Sequence, residues 1–119
     1  MKGYEYLLNF LREEGFKFNE EDSIISFKFE GNTYVAFKKD SSLLTILQIC
    51  NADGHSRTEL LEKCNEFNEN YYIIKFTVHG SNIWCTYEFE PSEHTTSDDF
   101  SFCFKLIDKA TDEILQEIS

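Results

Sequence analysis

The sequence predicts an α+β fold. It is a two-layer sandwich in which a five-stranded, mainly antiparallel sheet packs against helices, in the order α-β-β-β-α-β-β-α. Two periodicities and their punctuation carry that prediction. Apolar residues recur at helical spacing in three stretches, and at every second position in the segments between them. Glycine, asparagine and proline stand where one pattern gives way to the next. The 119 residues, 1–119, amount to a single domain, and 41% hydrophobic residues with twelve phenylalanines can fill one core. No repeat, low-complexity tract or linker divides them.

Residues 2–14 form the first helix. Tyr4, Leu7, Leu8 and Leu11 make its stripe, and Gly15 stops it. Tyr6 and Phe10, four apart, widen the apolar arc beyond what one packing face needs. A helix tucked into a groove accounts for that width, and so does a helix that meets a partner. Phe16 and Phe18 follow in extended form, and Glu20-Glu21-Asp22 is a solvated acidic turn. Ile25, Phe27 and Phe29 alternate with Ser26, Lys28 and Glu30 as the first strand. Gly31-Asn32 is a two-residue hairpin turn, and Tyr34, Val35, Ala36 and Phe37 form the second strand. Lys38-Lys39-Asp40-Ser41-Ser42 is a polar loop. The third strand, from Leu43 to Cys50, is apolar on both sides, as strands inside a sheet are. Asn51, Asp53 and Gly54 superficially resemble a calcium loop. His55 holds the next ligand position and the distal glutamate spacing is missing, so the segment is a turn.

The stretch Ser56–Glu90 organises the rest. Ser56 and Glu59 have capping-box spacing. Leu60, Cys64 and Phe67 recur helically, with Leu61 beside them and Glu62, Asn65, Glu66 and Glu69 on the other side. Asn68 and Asn70 stand where the helix ends, since asparagine tolerates a left-handed cap. The period then becomes two: Tyr72, Ile74, Phe76 and Val78, a reversal at Gly80-Ser81-Asn82, then Ile83, Cys85, Tyr87 and Phe89. The run Leu61-Glu62-Lys63-Cys64-Asn65-Glu66-Phe67-Asn68, followed by Ile74-Lys75-Phe76 and Trp84-Cys85-Thr86-Tyr87, resembles the YbjN-domain family. That family comprises candidate bacterial sensory transduction regulators and shares a fold with type III secretion chaperones. It places two asparagines three apart near this helix end, and Asn65 and Asn68 match them. The resemblance implies a YbjN-like, secretion chaperone-like domain that works by binding protein.

Pro91 ends the last strand because it cannot donate to a ladder. Ser97 is the predicted N-cap of the third helix, with Asp98 and Asp99 at the positive end of its dipole. Its stripe runs from Phe100 through Phe104, Ile107 and Ile114 to Ile118.

A formal net charge of −11 argues against nucleic acid and against anionic membrane as partners. No stretch approaches the ~20 apolar residues that span a bilayer. Glu5 and Asn9 interrupt the first apolar run, which argues against a secretory signal and makes the cytoplasm the expected compartment. Cys50, Cys64, Cys85 and Cys103 lie in no C-x-x-C and read as buried thiols, so neither a metal nor a cofactor is expected. His55, His79 and His94 sit in or beside loops without a nucleophile motif. Five glycines leave little material for a phosphate-cradling loop. Glu88 with Glu90, and Asp98 with Asp99, lie in wet positions that do not split their pKa values as acid–base pairs require. The expectation is a protein without enzymatic activity.

What remains is surface. If Phe27, Phe37, Leu47, Phe76 and Phe89 face the helices, alternation sends Tyr34, Leu44, Ile46, Ile73 and Trp84 to the other face. With Tyr6 and Phe10 these are the candidate partner or dimer surface, an apolar centre rimmed by Lys28, Lys38, Lys75 and Glu88. A helix folded across that face would remove it. The alternative is a sensor whose cavity, between helices and sheet, is lined by Tyr34, Tyr72, Trp84 and Tyr87. Asn65 and Asn68 read as a structural motif that ties the helix end to the following turn and satisfies orphan carbonyls.

Overall fold

Two tight turns set the register of the first half of the sheet. Asp22-Ser23 joins β1 (Phe18–Glu21) to β2 (Ile24–Phe29), and Glu30-Gly31 joins β2 to β3 (Asn32–Lys38). All four turn residues have positive φ, 52°, 64°, 50° and 85°, the combination whose twist matches the flanking strands. The second turn is therefore Glu30-Gly31 and not Gly31-Asn32. Asn32 pairs with Phe29 and opens β3.

The computed structural model describes residues 3–38 and 42–118. The centre of the polar loop (39–41) and residue 2 of the first predicted helix lie outside them. The remaining elements are α1 (Gly3–Glu13), β4 (Leu44–Asn51), α2 (Arg57–Asn70), β5 (Lys75–His79), β6 (Asn82–Phe89) and α3 (Ser97–Ile118). The strands form one six-stranded sheet in the order β1-β2-β3-β4-β6-β5, with every neighbouring pair antiparallel. The sequence reading counts five because β1 carries no apolar alternation: Glu20 and Glu21 belong to a strand, not to a turn. Extended backbone pairing with β2 makes β1 a strand despite its composition.

Helix starts follow their caps. Ser56 and Glu59 form the predicted capping box, with Glu59 N–H donating to Ser56 Oγ and Ser56 N–H donating to Glu59 Oε1, both at 3.2 Å. Those bonds, the backbone one first, hold the Glu59 carboxyl below its usual range. The α3 cap is Thr96, one residue before the predicted Ser97. Thr96 Oγ1 accepts from Asp99 N–H at 3.2 Å, and Asp99 Oδ2 accepts from Thr96 N–H at 2.9 Å. Asp99 sits three residues after Thr96, so only Thr96 can close the reciprocal pair with it.

The three helices cover one face of the sheet, and one hydrophobic cluster joins them to it. Phe104 of α3 is its centre, 5.1 Å from the rings of Phe27 and Phe29 and 5.3 Å from Tyr34. Phe76 belongs to the same cluster, packed 5.2 Å from both Phe67 and Tyr71. Three hydrogen bonds fix the register of α3. Tyr34 Oη donates to the Phe104 carbonyl at 2.9 Å, and Asp108 Oδ1 accepts from Asn32 Nδ2 at 2.9 Å and Gln48 Nε2 at 3.1 Å. Burial pushes the Tyr34 phenol up to about 12.

Candidate partner-binding surface

The strand registers decide which side chains share the other face. Partners directly opposite in a ladder point the same way. Phe27 opposes Tyr34, Ala36 opposes Ile46, Ile46 opposes Tyr87 and Leu44 opposes Phe89. Tyr34, Leu44 and Ile46 therefore lie under the helices, fully buried, and cannot be partner surface. For β3 and β4 the phase is the reverse of the one expected from sequence. Both strands are apolar on both sides, so alternation alone could not say which side met the helices. Phe37 and Leu47, assigned to the core, point the other way: Phe37 opposes Thr45, and Leu47 opposes both Val35 and Thr86. Trp84 is on this second face as predicted, opposite Ile49 and Thr77. Tyr6 is half-buried and lines a groove between α1 and the start of α3, while Phe10 is buried and stacked on Phe100 at 4.8 Å. Ile73 is not in a strand. β5 begins at Lys75, and Tyr72 and Ile73 stand in the loop before it, 98% and 55% exposed.

Among the described residues no helix lies on the second face. Its centre is Leu47, only 1% exposed although it stays outside the helix-side cluster, because neighbouring side chains close over it. Val35, Phe37 and Trp84 surround it half-buried, and Ile24 and Ile49 are 48% and 49% exposed. Thr45 and Thr86 are buried beside Leu47, and the Thr45 hydroxyl has no hydrogen-bond partner among the described residues. His79 stacks on Trp84 with ring centroids 3.7 Å apart and shares a 2.9 Å hydrogen bond with Thr77. On this face two lysines, Lys28 and Lys75, balance two glutamates, Glu21 and Glu88, in a chain of net charge −11. A cavity of about 480 Å³ has Tyr72 and Ile73 among its walls and Lys75, Thr86 and Glu88 of the face along its side. A second, of about 280 Å³, adjoins it through the same Lys75, Thr86 and Glu88 and reaches Phe37, Thr45 and Trp84.

Asn65 is exposed on α2. Asn68 does something the sequence reading placed elsewhere: its amide bonds the edge strand β5. Nδ2 donates to the Phe76 carbonyl at 2.9 Å, and Oδ1 accepts from Phe76 N–H at 2.8 Å. The side chain thus supplies the pair of bonds that a neighbouring strand would. The helix ends because Tyr71 turns extended (φ −111°), not through a left-handed asparagine, and the orphan Glu66 carbonyl accepts from Asn70 Nδ2 at 3.0 Å.

Burial keeps the thiols in their protonated form. All four cysteines are free and buried, and burial pushes the thiols of Cys64 and Cys103 to about 11 and that of Cys85 to about 12, so they stay protonated. His55 and His94 lie beside Glu59 and Glu93 near the surface. Among the described residues no group of three or more histidine, cysteine or acidic side chains is arranged to hold a metal ion, and no helix is long and apolar enough to cross a membrane. Tyr34 and Tyr87, proposed from sequence as cavity lining, are packed into or against the core, so the space between helices and sheet at these residues is filled.

No protein-family profile and no curated protein matches the sequence. Solved structures do match. The fold is similar to that of YbjN, a candidate transcription regulator from E. coli, with a TM-score of 0.69 and 10% identity, over 97% of this chain and 90% of that one. It is also similar to an uncharacterised protein from Methanothermobacter thermautotrophicus, with a TM-score of 0.71 and 15% identity, over 98% and 96% of the two chains. The chain has a YbjN-like fold, as the helix-end and hairpin motifs in its sequence implied.

Proposed function

We propose that this chain is a non-enzymatic protein-binding module whose docking surface is the helix-free face of the sheet. The observation that carries the reading is the balance of that face: an apolar centre with zero net formal charge in a molecule of charge −11. Such a surface suits another protein surface, because contact removes apolar area from water without bringing uncompensated charge together. Any regulatory role of the kind ascribed to YbjN runs, in this chain, through protein contacts. An acidic chain offers no basic stripe to a phosphate backbone.

The test is capture from the native cell by tagged wild-type chain and by Phe37→Lys, with Leu61→Ser on the outer side of α2 as control. Proteins retained by wild type and by the control but lost with Phe37→Lys support the reading, provided all three melt alike. Retention unaffected by Phe37→Lys moves the docking surface elsewhere.

A second reading, a small-molecule sensor, has one observation in its favour. The 280 Å³ cavity beside Trp84 includes Thr45, whose hydroxyl is buried and unpartnered. Trp84 is the sole tryptophan, so its emission reports occupancy directly. A saturable shift on adding fractionated cell metabolites, lost in Thr45→Val, supports this reading, and flat emission removes it.

A further inference from the structure

Where β5 begins, a projection and a recess border the helix-free face side by side, the recess running on to Asn68 and Tyr71 at the end of α2. Tyr72 and Ile73, the most exposed aromatic and the most exposed aliphatic side chain of the loop between α2 and β5, wall the larger cavity. The smaller cavity, with Phe37 and Trp84 in its lining, continues from it across Lys75, Thr86 and Glu88. A projection next to a recess on one surface is the arrangement that a two-fold axis makes self-complementary, because rotation brings each projection over the other copy's recess.

We propose that the occupant of the helix-free face is a second copy of this chain, packed face to face about a two-fold axis, with Tyr72 and Ile73 of each copy seated in the recess beside Trp84 of the other. The proposal rests on the reading of this face as the docking surface.

Charge selects the occupant. Two copies of a −11 chain repel wherever their acidic surfaces meet, and this face is a surface on which the charges cancel. Area explains why the loop is needed. Six strands spaced ~4.8 Å apart, at ~3.4 Å per residue, present roughly 600 Å² per copy. Doubled, that is about 1,200 Å², the lower bound for a stable interface. Two large exposed side chains beyond the strands carry the contact past that bound. In the monomer Tyr72, 98% exposed, touches almost nothing, and Ile73 leaves more than half of its surface in water.

Sedimentation equilibrium from about 1 µM to 1 mM tests this, on the wild-type chain, Tyr72→Ala/Ile73→Ser and Phe37→Lys, with melting curves confirming that each variant folds. The expected result is a wild-type dimer whose dissociation constant rises at least tenfold in the loop variant and beyond the measured range in Phe37→Lys. A dimer split by Phe37→Lys but untouched by the loop variant overturns the seating of Tyr72 and Ile73 and leaves the face standing as docking surface. A dimer indifferent to both variants overturns the face itself. A wild-type chain that stays monomeric throughout overturns the second copy as occupant. In that case, capture of another protein that Phe37→Lys abolishes would still uphold the docking surface.

Discussion

The two faces of this sheet are made from the same strands, alternate residue by alternate residue, yet they solve different problems. The helix-side face buries phenylalanine against phenylalanine and confines its polar groups to bonded pairs, such as Tyr34 with the Phe104 carbonyl and Gln48 with Asp108. The bare face mixes Leu47, Val35, Phe37 and Trp84 with threonines, leaves the Thr45 hydroxyl unpaired, and keeps Ile24 and Ile49 half in water. The first arrangement has the marks of a core optimised for stability. On the proposed reading, the second is the docking surface. Stability should therefore depend on one face, and association on the other.

The largest test of that asymmetry is Phe104→Ala. It removes the ring at the centre of the covered face and should cost about 3–5 kcal/mol in urea unfolding. A loss under 1 kcal/mol would break the comparison. Alkali should find the same face. Cys64, Cys85 and Cys103 have thiols raised from an ordinary 9.0 to about 11 or 12, so between pH 9 and 11 the folded chain holds protons that the unfolded chain has released. Their contribution is whole below pH 9 and is lost as pH rises through that window, by up to about 1.4 kcal/mol per thiol per unit. Guanidinium melts at pH 8 and 10 on wild type and Cys85→Ala measure it, and the variant should show the shallower decline. Asp108→Ala strands the Asn32 and Gln48 amides and should cost about 1–3 kcal/mol, a figure that Asp108→Asn should partly restore.

At the edges the contrast takes another form. Asn68 seals β5, whereas nothing in the described residues bonds the outer backbone of β1, which is guarded by brevity and by Glu20 and Glu21. Asn68→Ala should cost about 1–2 kcal/mol for its two bonds and raise light scattering on heating, through the freed Phe76 backbone. On the bare face, Ile24→Ser and Ile49→Ser should change unfolding by no more than about 0.5 kcal/mol.

Much of this was legible in the sequence. The helix stripes ending in Phe67 and Ile118 and the Ser56–Glu59 capping box follow from local pattern and are where the pattern puts them, and so is the β5–β6 hairpin, except that its turn is Gly80-Ser81 alone, because Asn82 pairs with His79 and opens β6. The short strand β1 was not legible, because Phe18-Asn19-Glu20-Glu21 is a strand only through its pairing with Ile24–Phe27. Nor was the phase of β3 and β4. Val35 and Phe37 look no less core-like than Tyr34 and Ala36, and only the position of α3 breaks the tie. That ambiguity moved Tyr34, Leu44 and Ile46 to the surface in the sequence reading and hid Phe37 and Leu47. Asp108 had a weak signal, an acid near the inward stripe of α3, but its partners Asn32 and Gln48 are far off in sequence.

The most direct measurement is the emission of Trp84, the sole tryptophan, followed from about 100 nM to 1 mM chain with acrylamide quenching at each concentration. If the bare face is covered by a second copy, emission moves to shorter wavelength and quenching falls along one saturable curve, and Phe37→Lys removes both changes. Emission and quenching that stay constant while sedimentation shows a dimer would place the contact away from Trp84 and contradict the account.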